Sequence, residues 1–172
     1  PPNTSSAASD VYKRQGVRNP WRFDLDPNGG LWIADVGQAC WEEVNLVNLT
    51  ERANLGWSDR EGFHKFDRNG ICEITDSDDV GDYVDPLLAY AHENGNCSIT
   101  GGYWMDWGPD SLRGGYLYGD FCSGSMWLIR EESGTWIEHY VGASGGMIVG
   151  FGQSGEGNLV VFHWMGDSVV IS

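Results

Sequence analysis

The feature that most constrains the fold of this chain is a regular alternation of apolar and charged residues, followed by a turn. Residues 21–26 read Trp-Arg-Phe-Asp-Leu-Asp, which is the two-residue period of a half-buried β-strand. Residues 31–34 are an apolar run that can form the return strand. Between them, residues 27–30 read Pro-Asn-Gly-Gly, and Asn and Gly tolerate the positive φ angles of tight hairpin turns. The stretch therefore predicts a β-hairpin.

Similar short strands recur through the second half of the chain. Four are predicted at residues 98–105, 116–120, 126–130 and 135–141, and three more at residues 148–151, 159–164 and 168–171. Four short antiparallel strands in sequence are the unit of one β-propeller blade. The 25 glycines and 9 tryptophans also favour an all-β protein with many turns. We therefore predict a partial β-propeller of about two to two and a half four-stranded antiparallel blades.

The charge of the chain excludes some classes of partner. Its formal net charge is −15, whereas nucleic acids and anionic membrane surfaces attract basic proteins. No apolar run approaches the ~20 residues that a membrane-spanning helix needs. We therefore expect no nucleic acid partner and no membrane span.

The first residues of the chain do not share these patterns. Residues 1–15 are small and polar, with a basic end at Lys13 and Arg14. We interpret them as a disordered or artefactual leader, and residues 16–172 as the propeller domain. A genuine linker from an upstream blade is the alternative.

Polar side chains gather at both ends of the predicted hairpin. They are Arg18, Asn19, Asp35, Gln38, Glu42 and Glu43. In an antiparallel sheet the start of one strand and the end of the next lie at the same edge, so these groups can share one rim. Arginine offers a planar fork to carboxylates, and oxygen ligands suit Ca²⁺, so the rim could bind a polyanionic organic ligand together with a hard cation. A salt-bridged surface turn would have the same spacing.

Several motifs in this region carry a family resemblance. Residues 16–57 contain G-x-R-N-P-W-R-F, D-P-x-G-x-L-W-I-A-D-V-G-Q, W-E-E-V-N and A-N-L-G-W in that order. Further on, C-S-I-T-G-G-Y and G-G-Y-L-Y-G-D-F-C-S-G-S-M-W follow. Together they resemble the soluble glucose/sorbosone (aldose sugar) dehydrogenases. The resemblance implies a six-bladed β-propeller that uses pyrroloquinoline quinone (PQQ) and Ca²⁺.

The resemblance also implies a reaction. The family oxidises the anomeric carbon of aldose sugars by hydride transfer to PQQ and passes the electrons to an external acceptor. Its histidine base belongs to an earlier blade, so this chain would be a C-terminal part that holds no catalytic base and is inactive alone. Which sugar and which acceptor would be used does not follow from the motifs.

Individual site residues can be carried over from the family motifs. Arg18 and Asn19 match the Arg-Asn pair that binds the quinone. Gly37 and Gln38 match the Gly-Pro dipeptide whose backbone carbonyls hold the catalytic Ca²⁺, with glutamine in place of proline. Glu43 matches an acidic residue that we interpret as supporting the site or fixing the blade.

Other family positions are absent. A lysine expected near residues 121–124 and two arginines expected near residues 148–152 are missing. The sequence is closer to a branch with paired cysteines that includes Hedgehog-interacting-protein-like propellers. A non-catalytic propeller that binds a ligand or a protein is therefore the alternative function.

The resemblance assigns one cysteine pair. Cys97 and Cys122 lie in the two motifs that carry paired cysteines in that branch, which leaves Cys40 and Cys72 as the remaining pair. Disulfides form in oxidising compartments, so we expect a periplasmic or secreted protein.

Three further features of the sequence have more than one interpretation. The tryptophans at positions 21, 41, 104 and 107 could stack on sugar rings or pack the blades. His92 is either a surface side chain or part of the rim. Residues 58–85 contain an acidic run that resembles a calcium-binding loop only loosely, and we interpret them as a solvated loop near the mouth of the site.

Overall fold

The computed structural model describes residues 14–72, 81–166 and 168–172. Every secondary-structure element in this part of the chain is a β-strand, which confirms the predicted all-β class. Among the described residues there is no helix long and apolar enough to cross a membrane.

The first sheet contains the predicted hairpin. Its strands lie in the order β2 (Pro20–Leu25), β3 (Gly30–Asp35), β4 (Trp41–Asn48) and β8 (Leu88–Ala91), and every neighbouring pair is antiparallel. Asp26 fixes the hairpin turn, because its carboxylate accepts the amides of Asn28 at 2.8 Å and Gly30 at 2.9 Å. The same carboxylate accepts the indole N–H of Trp32 at 3.0 Å. One side chain therefore ties the turn to the core.

The segment between β4 and β8 forms only short strands. These are β5 (Ala53–Asn54), β6 (Arg60–Glu61) and β7 (His64–Lys65), of which β6 and β7 pair with each other. Strand β1 (Arg14–Gln15) pairs in parallel with β5, so the described fold begins two residues before the predicted domain boundary. The greater part of the predicted leader and the acidic positions 76, 78 and 79 of the long loop lie outside the described residues.

Two further sheets follow. The second is four-stranded, in the order β12 (Thr135–Ala143), β11 (Ser125–Glu132), β10 (Gly115–Asp120) and β9 (Ile99–Trp104). The third is three-stranded, in the order β13 (Ile148–Gln153), β14 (Leu159–His163) and β15 (Ser168–Ile171). Two four-stranded sheets and a three-stranded one confirm the predicted partial propeller.

The sheets pack face to face through apolar cores. Trp32 and Ala34 of the first sheet meet Tyr116 and Ile129 of the second, and the Trp32 and Tyr116 rings stack with their centroids 4.9 Å apart. A second core, which includes Leu117 of β10 and buried residues of β11, β13 and β14, joins the second sheet to the third. Strands β2, β9 and β13 lie side by side, as the inner strands of propeller blades do.

This arrangement creates one common edge. Strands β2, β9 and β13 begin there, and β3, β10 and β14 end there, because each sheet is antiparallel. We call this edge the rim. Both parts of the candidate site lie on it.

Candidate functional site

The segment before β2 is fastened to the end of β3. The Asp35 carboxylate accepts the backbone amide of Arg18 at 2.8 Å and that of Asn19 at 2.6 Å. The amide of Val36 in turn donates to the carbonyl of Asn19 at 3.1 Å. Burial raises the pKa of Asp35, although these two amides act against the rise. The backbone of the predicted cofactor-binding pair is therefore fixed by Asp35. These hydrogen bonds do not involve the side chains of Arg18 and Asn19.

The guanidinium group of Arg18 turns toward the Gly37–Cys40 loop. Its Nε and Nη2 atoms donate to Oε1 of Gln38 at 3.0 and 2.7 Å, and Nη1 donates to the carbonyl of Val36 at 2.9 Å. The cation also lies 5.6 Å from the ring centroid of Trp57. Its described hydrogen-bond partners are therefore an amide and a carbonyl, not a carboxylate. The structure brings together two of the residues carried over from the family motifs, Arg18 and Gln38.

The loop that contains Gln38 is held from within by one buried carboxylate. Oε1 of Glu61 accepts the backbone amides of Gln38, of Ala39 at 2.7 Å and of Cys40 at 3.2 Å. Glu61 is only 3% exposed and belongs to β6, in the segment that the sequence presented as a long loop. No motif pointed to this residue.

Gly37 has a packing reason to be glycine. A Cβ atom at this position would overlap the carbonyl oxygen of Trp41 and the carboxylate of Glu61. The amide of Gly37 donates to Oε2 of Glu42 at 3.3 Å. The backbone of the predicted Ca²⁺-binding dipeptide therefore has little freedom to move.

Glu42 and Glu43 are both buried and have separate partners. Glu42 accepts the amide of Ile99 at 2.8 Å, across the boundary between the first two sheets, and lies 2.7 Å from Nε2 of His92. Burial raises the pKa of Glu42. This contact answers the open question about His92, whose ring is bound to a buried carboxylate.

Glu43 fixes the sheet to the segment after it. Its carboxylate accepts the amide of Gly62 at 2.5 Å and the side-chain amide of Asn45 at 3.1 Å. Burial, together with the nearby carboxylates of Asp35 and Glu61, raises the pKa of Glu43 to about 7, although the hydrogen bonds from Gly62 and Asn45 act against the rise. The predicted supporting role of Glu43 fits these contacts.

A second part of the site is an aromatic cleft on the same rim. Its volume is about 290 Å³, and its lining residues come from all three sheets and the loops that follow them. They are Trp21, Ser98, Thr100, Phe121, Val149 and Trp164. The indole rings of Trp21 and Trp164 are 54% and 60% exposed, so they form the open walls of the cleft. Flat apolar walls with hydroxyl groups between them suit a ring-shaped ligand.

Two lining residues stand where the resemblance implies basic side chains. Phe121 lies in the region expected to hold a lysine, and Val149 in the region expected to hold arginines. Their apolar side chains explain why the cleft offers rings and hydroxyls instead of positive charge. No ligand role was expected for Trp164, which lies outside the motifs, or for Ser98 and Thr100, which belong to the C-S-I-T-G-G-Y motif. These residues meet only after the sheets assemble.

The cysteines form two disulfides among the described residues. Cys97 and Cys122, the pair that the resemblance assigned, have Cα atoms 5.6 Å apart, and Cys40 and Cys72 have Cα atoms 5.5 Å apart. Both distances lie within the normal range for a disulfide. The first bridge joins the segment before β9 to the segment after β10, and its cysteines are the chain neighbours of Ser98 and Phe121, which line the cleft.

A buried carboxylate reinforces that bridge. Oδ2 of Asp120 accepts the amides of Cys97 and Ser98 and the hydroxyl of Tyr90, all within 3.0 Å. Its Oδ1 accepts the amide of Cys122 at 2.9 Å, and also that of the residue after it. In the described residues, Cys97, Asp120 and Cys122 are the group whose spacing could suit a metal ion. The disulfide and these donors already occupy its ligand atoms.

The other tryptophans considered from the sequence pack inside the fold. Trp41 lies against His64 at 4.3 Å, and Trp104 lies against Trp32 at 5.6 Å. Trp107 packs edge-on to a tyrosine of β9 at 5.5 Å. Of the four candidates, Trp21 alone lines the cleft.

Comparison with known proteins supports the predicted resemblance. No family model matches the chain. The HIPL1 protein of Arabidopsis thaliana is 32% identical over 133 residues, which are 71% of this chain and 19% of that protein. The chain therefore spans about a fifth of the length of this curated relative.

Solved structures show the same fold. The PQQ-bound aldose sugar dehydrogenase of Streptomyces coelicolor is 17% identical with a TM-score of 0.61, and the match covers 90% of this chain and 42% of that one. A glucose dehydrogenase is 19% identical with a TM-score of 0.65, covering 90% of this chain and 44% of that one. The apo form of the soluble aldose sugar dehydrogenase of Escherichia coli is 16% identical with a TM-score of 0.61, covering 85% and 42%. These comparisons confirm the resemblance: the chain has the fold of less than half of a soluble sugar dehydrogenase and is similar in sequence to HIPL1.

Proposed function

We propose that this chain forms the C-terminal part of a quinone-dependent dehydrogenase that oxidises the anomeric carbon of aldose sugars. The observation that supports this most directly is the hydrogen-bonded contact between Arg18 and Gln38. It joins a residue that matches the quinone-binding pair to a residue that matches the calcium-binding dipeptide. Such a contact is expected if the two ligands are neighbours on one rim.

The residues present fit the proposed cofactors in a limited but specific way. An arginine has five N–H donors, and the described contacts of Arg18 use three of them. The remaining N–H donors of Arg18 and the side-chain amide of Asn19, an exposed residue, would hold carboxylate and carbonyl oxygens of PQQ. The carbonyl oxygens of Gly37 and Gln38 would hold Ca²⁺.

Each remaining requirement of the reaction has a proposed source. When bound, PQQ would accept the hydride of the sugar while Ca²⁺ polarises its carbonyl group. The histidine base would come from an earlier blade, and an external acceptor would remove the electrons. The two disulfides support export to the periplasm or secretion, since such bridges persist in oxidising compartments.

A second candidate function is a non-catalytic propeller that binds a ligand. The composition of the cleft favours it, because Phe121 and Val149 replace the basic side chains that a tricarboxylate such as PQQ would need. A neutral carbohydrate ring would fit the same walls better, since its apolar face can stack on Trp21 or Trp164 and its hydroxyls can bond Ser98.

Titration of the intact protein distinguishes these functions. We expect PQQ to bind in the presence of Ca²⁺, and Arg18→Ala to weaken that binding by about 1–3 kcal/mol, the range for a charge-assisted hydrogen bond. Arg113→Ala is the matched control, because Arg113 is an exposed arginine of the turn before β10. Isothermal titration calorimetry would measure both.

The two functions predict opposite results in this titration. Equal PQQ affinity in wild type and Arg18→Ala would refute the cofactor assignment. If PQQ fails to bind while a neutral aldose quenches tryptophan fluorescence, the binding-propeller function takes its place.

A further inference from the structure

We propose that Glu61 is the positioning residue of the Gly37–Cys40 loop, where it replaces the stiffness that a proline supplies in the dehydrogenases this chain resembles. The inference rests on the proposed function, because it concerns the two carbonyl groups assigned to Ca²⁺. It adds a residue that none of the family motifs contains. Three observations carry it: the amides that Glu61 binds, the direction of the attached carbonyls, and the contacts that hold Glu61 itself.

The first observation is that Glu61 binds successive amides of the loop. Its Oε1 accepts the N–H groups of Gln38, of Ala39 at 2.7 Å and of Cys40 at 3.2 Å. A carboxylate is a stronger acceptor for backbone amides than a neutral group is, since hydrogen bonds to a charged group are roughly twice as strong as neutral ones. Three such bonds fix the orientation of three consecutive peptide groups.

The second observation follows from peptide geometry. In a trans peptide the N–H and the C=O of one planar group point in opposite directions. The amide of Gln38 shares its plane with the carbonyl of Gly37, and the amide of Ala39 shares its plane with the carbonyl of Gln38. None of these peptide bonds is among the cis bonds of the described chain. Because both amides point toward Glu61, both carbonyls point away from it, and these are the two groups assigned to Ca²⁺.

The identity of residue 38 makes Glu61 necessary. A proline at this position would restrict φ and would lack the N–H group. Gln38 has a less restricted φ and a backbone N–H group. Its loop therefore has more conformational freedom than a proline would allow, and one more hydrogen-bond donor. Glu61 accepts that donor, and Oε1 of the Gln38 side chain accepts the guanidinium of Arg18. The glutamine is therefore fixed at its backbone and at its side chain by two different residues.

The third observation is that Glu61 is itself held firmly. It lies in β6, where it pairs with His64 of β7, and the next amide, that of Gly62, donates to Glu43 of the first sheet at 2.5 Å. The Cys40–Cys72 disulfide joins the last residue of the loop to the residue that follows this segment. Because the backbone around Glu61 is fixed by these contacts, its carboxylate can hold the Gly37–Cys40 loop in one position.

The experiment measures Ca²⁺ binding and amide exchange in the same variants of the intact protein. Glu61→Gln keeps the shape of the side chain and removes its charge. Glu51→Gln is the matched control, because Glu51 is exposed and lies before the same segment. We expect Glu61→Gln to weaken calorimetric binding of CaCl₂ by about 10-fold or more, the usual effect of losing an outer partner of a metal ligand. The control should bind as wild type does.

Amide hydrogen exchange gives a readout that does not depend on the metal. In wild type without Ca²⁺, the amides of Gln38, Ala39 and Cys40 should be protected, and Glu61→Gln should expose them while the sheet amides stay protected. Free exchange of these three amides in wild type would overturn the inference even if the variant does not fold.

The outcomes separate the inference from the proposed function. Equal Ca²⁺ affinity in wild type and folded Glu61→Gln would overturn the role of Glu61 and leave the proposed function standing. Absence of Ca²⁺ binding in wild type would refute the calcium assignment. In that case unchanged amide exchange in Glu61→Gln would refute the positioning role, and faster exchange would support it.

Discussion

At the scale of single residues, burial determines the charge of the acidic side chains near the rim. Asp35, Glu42, Glu43 and Glu61 are all buried, and each accepts hydrogen bonds from backbone amides. A carboxyl group away from water resists ionisation, so burial raises the pKa values of the first three. The formal net charge of −15 at pH 7 counts these first three side chains as fully ionised, whereas burial favours their protonated forms.

Glu43 should make stability depend on pH in a defined direction. Its pKa is raised from 4.5 to about 7, so between these values the folded protein holds a proton that the unfolded chain has released. Unfolding then releases protons, and stability must fall as the pH rises through this window, by up to about 3 kcal/mol.

We expect Glu43→Gln to flatten this dependence, because glutamine does not titrate. Relative to wild type, the variant should be more stable at about pH 8 than at about pH 5. Urea unfolding across this range measures it, with Glu51→Gln as an exposed control. Parallel curves for wild type and Glu43→Gln would contradict the assignment.

Among the elements, β9 and β10 of the second sheet are joined beside the cleft-lining residues by a disulfide and by a buried carboxylate. The Cys97–Cys122 bridge joins the segment before β9 to the segment after β10, and Asp120 binds the backbone on both sides of that bridge. Ser98 and Phe121, which line the cleft, are the neighbours of these anchors along the chain. The shape of the cleft therefore depends on loops that the disulfide holds together.

Removal of that bridge should destabilise the fold measurably. Cys97→Ser with Cys122→Ser should lower the free energy of unfolding by about 3 kcal/mol, because the unfolded chain gains the freedom of a closed loop. Denaturant unfolding in a Cys40→Ser/Cys72→Ser background isolates this bridge. In that background, reduction of the Cys97–Cys122 bridge should lower the stability to that of the protein that also carries Cys97→Ser and Cys122→Ser. If the reduced protein is as stable as the oxidised protein, the bridge contributes nothing to stability.

At the scale of the whole molecule, the outer sheets each expose an apolar face. Phe23 and Leu25 of β2 are 67% and 50% exposed, on the side of the strand opposite the contacts with β9. Phe162 and Val170 of the third sheet are 46% and 57% exposed, on the side opposite the core. Propeller blades cover such faces with neighbouring blades, and the solved dehydrogenases are more than twice as long as the part matched here.

We expect the chain of 172 residues to associate with itself when studied alone, since exposed apolar faces of this kind favour contact. Sedimentation velocity should show a weight-average mass that rises with protein concentration. Phe23→Glu should reduce this association, whereas Tyr140→Glu, an exposed aromatic residue of the second sheet, should not. A monomeric mass that does not change with protein concentration would show that the exposed apolar faces do not mediate self-association.

Local sequence patterns were enough to predict the strands and turns of this protein. The alternation along residues 21–26 and the turn after it predicted the hairpin, because side-chain direction in a strand alternates with a period of two residues. Short apolar runs between turns likewise predicted the strands of the second and third sheets. The motifs around Arg18, Gly37 and Cys97 carried the family resemblance. These features depend on residues that are close together along the chain.

Contacts between residues that are far apart along the chain could not be predicted in this way. Glu61 reaches the Gly37–Cys40 loop from more than 20 residues away, in a segment that has no strong strand pattern. Trp164 joins Trp21 in the cleft from the far end of the chain, and Arg18 binds Gln38 and not a carboxylate. No local pattern contains these contacts, because they depend on how the sheets pack and on which buried donors still need an acceptor once packing is complete.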